Sequence, residues 1–434
     1  MSAEPVTTAL AVEVKDELAD TAESDKYAEA TAVDHEADAH GKQDLVLTQP
    51  PPAVTFPDGG IAAYRTVTAG TLTIFSTFGV SISFGVLQAE LKQTLLTNNN
   101  ASEISWIGSA MMTIAFASAL PAGRLFDQGY YRQQLAAGSL LFTFSIFMLS
   151  LSTKYYQVFL SYAVGCGRTL MLGIVAAGPA AAGCIFPIAM NNLFPKLGFA
   201  TTIRIVGATC GVLLLTANLL VVPRKLPRRN IPVFKLVIRC FRQPLTWVTC
   251  PAVGLVMLGC FVPMFYIQVF SIANGADEVV IKYGLAIMNG SAVVSRVLSG
   301  FVADRYGVLN TAIPVALSIG VLSIAMYGAT STGSAIAFNC LYGFASGGWI
   351  TISAPIFMSL ADSVSEIGVR SGVGFIFVAI GVLMGSPLAG QILLAADGNY
   401  LAPLLYAGLA SILGTVLLVL ARIKIAKVKG TWKV

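Results

Sequence analysis

The chain has 434 residues, 56% hydrophobic and 11% charged, with a formal net charge of +5. Soluble domains carry about 25% charged residues, so an ordinary soluble globular protein is excluded and a multi-pass membrane protein is indicated. The charge is segregated: the first 65 residues hold 13 acidic and 4 basic residues, the remainder 9 acidic and 23 basic. Both histidines, His35 and His40, lie in the acidic segment, which removes multi-histidine membrane metalloenzymes. There is no P-loop or nucleotide signature, so an ATP-driven pump is excluded as well. No cofactor, metal site, catalytic residue or nucleic-acid-binding feature is expected.

Residues 1–55, rich in Ala, Glu, Asp and Lys, read as a disordered acidic cytosolic tail. No basic n-region and apolar h-region precede them, so the first span is expected to act as an uncleaved signal anchor. A hydrocarbon core of about 30 Å needs about 20 apolar residues per helix. Ten clear runs follow, near 66–91, 104–122, 133–152, 199–222, 247–271, 283–301, 311–330, 335–360, 371–396 and 400–421. Between the third and fourth lies an apolar stretch, 155–193, too long for one helix and short for two.

Charge sets the orientation. Residues 223–243 carry Arg224, Lys225, Arg228, Arg229, Lys235, Arg239 and Arg242 with no acid, and the C-terminal segment adds Arg422, Lys424, Lys427, Lys429 and Lys433. Both are expected in the cytosol by the positive-inside bias. Parity then demands two crossings of 155–193, or none. Two short spans hinged at Gly165-Cys166-Gly167-Arg168 fit best and bring the total to twelve. The expected organisation is an all-α membrane protein of two six-helix bundles, 56–222 and 247–421, joined by a basic linker, 223–246, and closed by a basic tail, 422–434. Asn100-Ala101-Ser102 is a glycosylation sequon in the first external loop. The seven cysteines fall in or beside apolar runs without metal-ligand spacing and read as small buried hydrophobes.

Two related words close corresponding spans. Gly123-Arg124-Leu125-Phe126-Asp127, followed by Tyr130 and Arg132, precedes the third span. Gly300-Phe301-Val302-Ala303-Asp304-Arg305-Tyr306-Gly307 follows the eighth. A charged turn repeated once per half suits a transporter built from repeats, with Arg124, Asp127, Asp304 and Arg305 as gating residues.

Ionisable groups inside spans are costly and face a cavity or another charge. Arg296, in the eighth span, is the leading candidate for substrate binding, since its planar fork suits a carboxylate and stays charged. It shares a helix face with Asn289. The alternative is that Arg296 snorkels and pairs with Asp304 or lipid phosphate. In the tenth span Asn339, Tyr342, Ser346, Trp349 and Ser353 recur at helical spacing beside Gly343, Gly347 and Gly348. Tyr342, Ser346 and Trp349 could line a substrate pathway, or the stripe could be interhelical packing. Thr73, Thr77, Ser81 and Gln88 form a comparable stripe in the first span, and Pro263 and Pro387 supply bends.

Phe56-Pro57-Asp58-Gly59-Gly60, followed by Ser83-Phe84-Gly85-Val86, resembles the entry motif of the monocarboxylate porter branch of the major facilitator superfamily, in its fungal form. Ile104 to Ser109, Gly300 to Gly307, Leu341 to Gly347, Ile367 to Arg370 and Gly385 to Gly390 agree with it. The resemblance covers about residues 56 to 425. It implies a twelve-helix plasma-membrane secondary transporter of small organic acids or fungal metabolites, with Arg296 matching the family's eighth-span arginine. Departures are informative. Ile82 replaces the lysine of animal lactate carriers, Ala292 replaces the acid one turn before Arg296, and about a couple of dozen residues are missing where Gly167 meets Arg168.

The expected partners are a small organic substrate and membrane lipid, with the chain acting as a monomer. Lacking the Ala292-position acid, transport is expected to depend weakly on pH. The competing readings are a non-transporting membrane sensor, or a paralogue compromised by the shortened fourth and fifth spans.

Overall fold

Backbone polar groups in hydrocarbon must be satisfied internally, which for a single chain of this composition favours helices. In the computed structural model every regular element among the described residues is helical. The structure describes residues 60–119, 121–122, 125, 130–166, 179–221, 233–361 and 366–433. The tail 1–55, the turn residues Arg124 and Asp127, and Gly167-Arg168 lie outside them.

Each of the ten apolar runs falls on a helix. The first is broken into α1 (Ile61–Ile82) and α2 (Phe84–Gln93), bent by 42° at Ser83. Helix α3 (Ala101–Ala117) opens on a capping box: Asn100 Oδ1 accepts from Glu103 N at 2.8 Å, and Asn100 N donates to the Glu103 carboxylate at 3.2 Å. Then come α4 (Tyr131–Ser150) and the short α5 (Tyr155–Val158), which runs on as a π-helix over Phe159–Cys166.

Helix α6 (Pro179–Leu220) has 42 residues, which would reach about 63 Å if straight, twice a bilayer core. It is interrupted at Gly198, whose φ of 72° and ψ of 171° no helix contains. The interruption separates 179–197 from 199–220. The 155–193 stretch is therefore part of two helical pieces, with the segment between them outside the described residues.

The second half comprises α7 (Val233–Arg242), α8 (Pro244–Ala273), α9 (Glu278–Tyr306), α10 (Val308–Ala325), α11 (Thr332–Met358), α12 (Ile367–Ala395) and α13 (Leu401–Lys429). Part of the expected linker is thus the helix α7, and α13 runs on to Lys429, beyond the expected 421. Gly307, at φ 98°, makes the tight turn between α9 and α10. Among the described residues eight helices are long and apolar enough to cross a membrane, nine if α1 and α2 form one bent span.

Helix α8 is the innermost, buried over most of its length. It packs on α12 and α13, while α9 packs on α11, α1 on α6, α3 on α12 and α6 on α9. The threonine and serine stripe of α1 is absorbed locally. Thr73, Thr77 and Ser81 each donate to the carbonyl four residues back, at 2.8 Å. No disulfide joins the seven cysteines; five are buried, Cys184 is partly buried and Cys340 exposed.

Candidate substrate pathway

Helices α9 and α11 carry most of the residues singled out in the sequence, and small residues set how closely they meet. A Cβ on Gly347 would lie 2.7 Å from Ala292, and one on Gly343 would collide with the Met288 carbonyl. The glycines of the α11 stripe therefore serve close packing on α9.

The polar members of the stripe part company. Tyr342 is fully buried, stacks on Phe338 with centroids 5.3 Å apart, and donates its hydroxyl to the Cys260 carbonyl of α8 at 2.8 Å. Ser346 bonds back to the Gly343 carbonyl at 3.3 Å. Trp349 is fully buried and its indole N–H has no acceptor. Asn339, also fully buried, leaves both amide atoms without a partner, its Nδ2 3.1 Å from where a Cβ on Gly284 would sit.

On α9, Asn289 is buried, donates to the Leu285 carbonyl at 2.9 Å and faces Gly183 of α6. Arg296, two helical turns on, shares that face. Its side chain is partly buried, its Nε has no hydrogen-bond acceptor, and among the described residues no carboxylate pairs with it. Pairing with Asp304 is not observed. Asp304 and Arg305 are exposed, and the Arg305 guanidinium lies 5.8 Å from the Tyr306 ring centroid. Asp127 and Arg124 lie outside the described residues, so their relation to the Asp304 turn is not described.

Contacts between the two halves of the chain escaped the sequence reading. Ser102 of α3 donates to the Pro387 carbonyl of α12 at 2.8 Å and accepts from Gln391 at 3.1 Å. Asn191 of α6 donates to the Lys282 carbonyl of α9 at 2.8 Å and accepts from Gln268 of α8 at 3.1 Å. Phe84 of α2 meets Phe265 of α8 edge-on at 5.1 Å. A buried carboxylate was also missed. Glu366 receives Arg370 at 3.1 Å and Arg239 of α7 at 3.1 Å, an arrangement only its Glu-x-x-x-Arg spacing hints at.

Along α9 and α11, the Arg296 Nε, the Trp349 indole and the Asn339 carboxamide thus keep unused hydrogen-bonding capacity. Buried polar groups are rarely left unmatched in native proteins. Among the described residues no cluster of His, Cys, Asp or Glu could hold a metal ion. The chemistry available is hydrogen bonding, with donors at Arg296 Nε, Trp349 Nε1 and Asn339 Nδ2 and an acceptor at Asn339 Oδ1.

No family model matches the chain. It is 34% identical to the agnestins efflux protein of Paecilomyces divaricatus, over 82% of this chain and 86% of that protein. It is 33% identical to an MFS-type transporter of Ophiocordyceps, over 85% and 87%, and 32% identical to the aspyridones efflux protein of Emericella nidulans, over 86% and 81%. A solved structure of a single-site mutant of the nucleoside transporter NupG shares the fold, with a TM-score of 0.64 at 14% identity, covering 82% of this chain and 99% of that one. With relatives so named spanning more than four-fifths of its length, the chain belongs to the major facilitator superfamily of membrane transporters.

Proposed function

We propose that the chain exports a small organic anion or acidic metabolite by alternating access between two six-span bundles, 56–222 and 247–421. The observation that carries the substrate reading is Arg296, a guanidinium within a span whose Nε has no acceptor and which no carboxylate neutralises among the described residues. A partly buried charge within a span that has no partner is costly, and an anionic oxygen on a cargo molecule would supply what the described residues do not. Asn289, on the same face, is the second contact, with Trp349 and Ser346 deeper in α11. Tyr342 joins this set as the tether that holds α11 to α8.

The two-bundle reading draws support from reciprocal packing: α3 of the first half lies on α12 of the second, and α6 on α9. Twelve crossings result if Gly198 divides α6 into two spans, α1 and α2 make one, and α3 and the 155–166 helix each make one. Export, rather than uptake, is favoured by the efflux relatives. In the same reading the protein sits in the plasma membrane as a monomer of the monocarboxylate porter branch, and Asp304 and Arg305 act with Asp127 and Arg124 as a gate. The sensor and compromised-paralogue alternatives are not favoured.

The test is transport in sealed inside-out vesicles against a panel of aromatic and aliphatic organic acids and their neutral esters. Accumulation of acids, with esters moved poorly, is the expected outcome. Equal handling of acids and esters would remove the anion reading.

A further inference from the structure

Helix α7 sorts its side chains into three strips. Cys240 is buried against Val369 and Val373 of α12, with Val237 and Phe241 packed beside it. Phe241 meets Trp247 at 5.8 Å and Phe377 at 6.4 Å between ring centroids. This strip fixes α7 to the protein, and the 3.1 Å pair between Arg239 and Glu366 adds to it.

The side chains of the other two strips are exposed. Phe234 and Ile238, one turn apart, are 77% and 39% exposed. Beside them Lys235, Arg239 and Arg242 are exposed at i, i+4 and i+7. A single residue, Gln243, separates α7 from α8, which starts at Pro244 and is long and apolar enough to span. The helix is therefore held at the level where that span enters the bilayer. An amphipathic helix in that place lies in the interfacial plane, apolar side chains at the acyl boundary and basic ones among the phosphates.

We propose that α7 is a binding site for anionic phospholipid headgroups on the membrane face where α8 begins. Lys235 and Arg242 engage the phosphates and Phe234 and Ile238 insert beneath, while Arg239 stays paired with Glu366. The charge complementarity is one-sided, since 223–243 contains no acid. Through Arg239 the site is joined to the start of α12, the helix that packs against α3.

The experiment is hydrogen exchange of residues 233–243 in the full chain, held in bilayer discs of phosphatidylcholine alone or mixed with phosphatidylserine. A basic residue near an anionic surface contributes about a fivefold change in affinity. Protection should therefore rise several-fold in the mixed discs, and the rise should shrink in Lys235→Gln/Arg242→Gln. Phe234→Ser/Ile238→Ser should lower protection in both bilayers. Glycerophosphoserine added to phosphatidylcholine discs should do nothing; a rise equal to that of the mixed discs would overturn the membrane headgroup as the ligand. Equal protection of the unmodified chain in both bilayers would overturn the proposal, whether or not the variants fold. So would an undiminished rise in a double-Gln variant that melts like the unmodified chain. Transport is not read, so this outcome stands apart from the substrate reading.

Discussion

The hydroxyl of Ser102, second residue of α3, reaches the carbonyl of Pro387 in α12 at 2.8 Å across 285 residues of chain. Gln391 returns a bond to the same hydroxyl at 3.1 Å, and a Cβ on Gly390 would come within 2.6 Å of the Ser102 Cα. The three contacts clamp one end of the α3–α12 seam. A hydrogen bond contributes about 1 kcal/mol net, a factor of about five in an equilibrium. Ser102→Ala should raise the separated population about that much, read as a longer distance between spin labels at Asn99 and Ala396. An unchanged distance distribution would show that the seam does not depend on these bonds.

Arg296 separates charge from shape. Arg296→Lys keeps the positive charge and loses the fork; Arg296→Ala loses both. Transport is expected to fall strongly in Ala and substantially in Lys, at equal abundance in the membrane. Unimpaired flux through Arg296→Ala would exclude the residue from cargo binding.

Coupling to protons needs a titratable group on the pathway. Among the described residues the buried charged side chains are Glu366 and Arg370, both at the start of α12, and Ala292 stands one turn before Arg296. Glu90 is only partly buried, near the end of α2. A carrier relying on a protonated carboxylate would slow as pH rises and that group lost its proton. Here transport is expected to change little with pH. Proton movement stoichiometric with cargo in reconstituted vesicles, abolished by Glu90→Gln, would contradict this.

Tyr342 and Gly347 test packing on α11. Tyr342→Phe removes the bond to the Cys260 carbonyl and should cost about 1 kcal/mol of stability, while leaving cargo affinity near that of the parent if the hydroxyl is a tether. Gly347→Val forces bulk against Ala292 and should cost about 1–3 kcal/mol. Thermal unfolding in detergent, paired with binding of the best panel compound, measures both. A large affinity loss in Tyr342→Phe without a stability change would make the hydroxyl a cargo ligand.

Asn100 caps α3 and also heads the expected glycosylation sequon, two roles that substitutions can separate. Its Oδ1 caps α3, and its amide nitrogen is the sequon acceptor. Asn100→Asp keeps a capping oxygen and abolishes glycosylation; Asn100→Ala abolishes both, at about 1 kcal/mol for the cap. Both should lose the electrophoretic shift on deglycosylation, but only Ala should melt lower. No shift in the parent chain would remove the glycan.

The spans were legible because length and apolarity are strong signals, and all ten runs became helices. The bend at Ser83 was not, since no proline sits there. The stripe of Thr73, Thr77 and Ser81 was correctly seen as one helical face, but a residue pattern does not reveal that each hydroxyl bonds its own backbone. Ser102 and Pro387 could not be joined in advance, because nothing local marks a pair 285 residues apart. The charge of 223–243 masked the periodicity of α7: seven basic residues read as a linker, while the helix among them is only ten residues long. Arg296 was legible as an oddity in an apolar helix; that no carboxylate among the described residues pairs with it required coordinates.

The disposition of the cysteines has a practical consequence for anyone who wishes to watch this transporter move. Five of the seven thiols are buried and a sixth half-hidden. The seventh, Cys340, shares an exposed apolar stripe with Ala337, Leu341 and Phe344 on α11, a helix long and apolar enough to cross a membrane. A charged maleimide added from water does not enter hydrocarbon, so the unmodified chain should give a low background of labelling. Reporter cysteines placed singly in the loops can then be introduced without first rebuilding the helix interiors that the native ones fill.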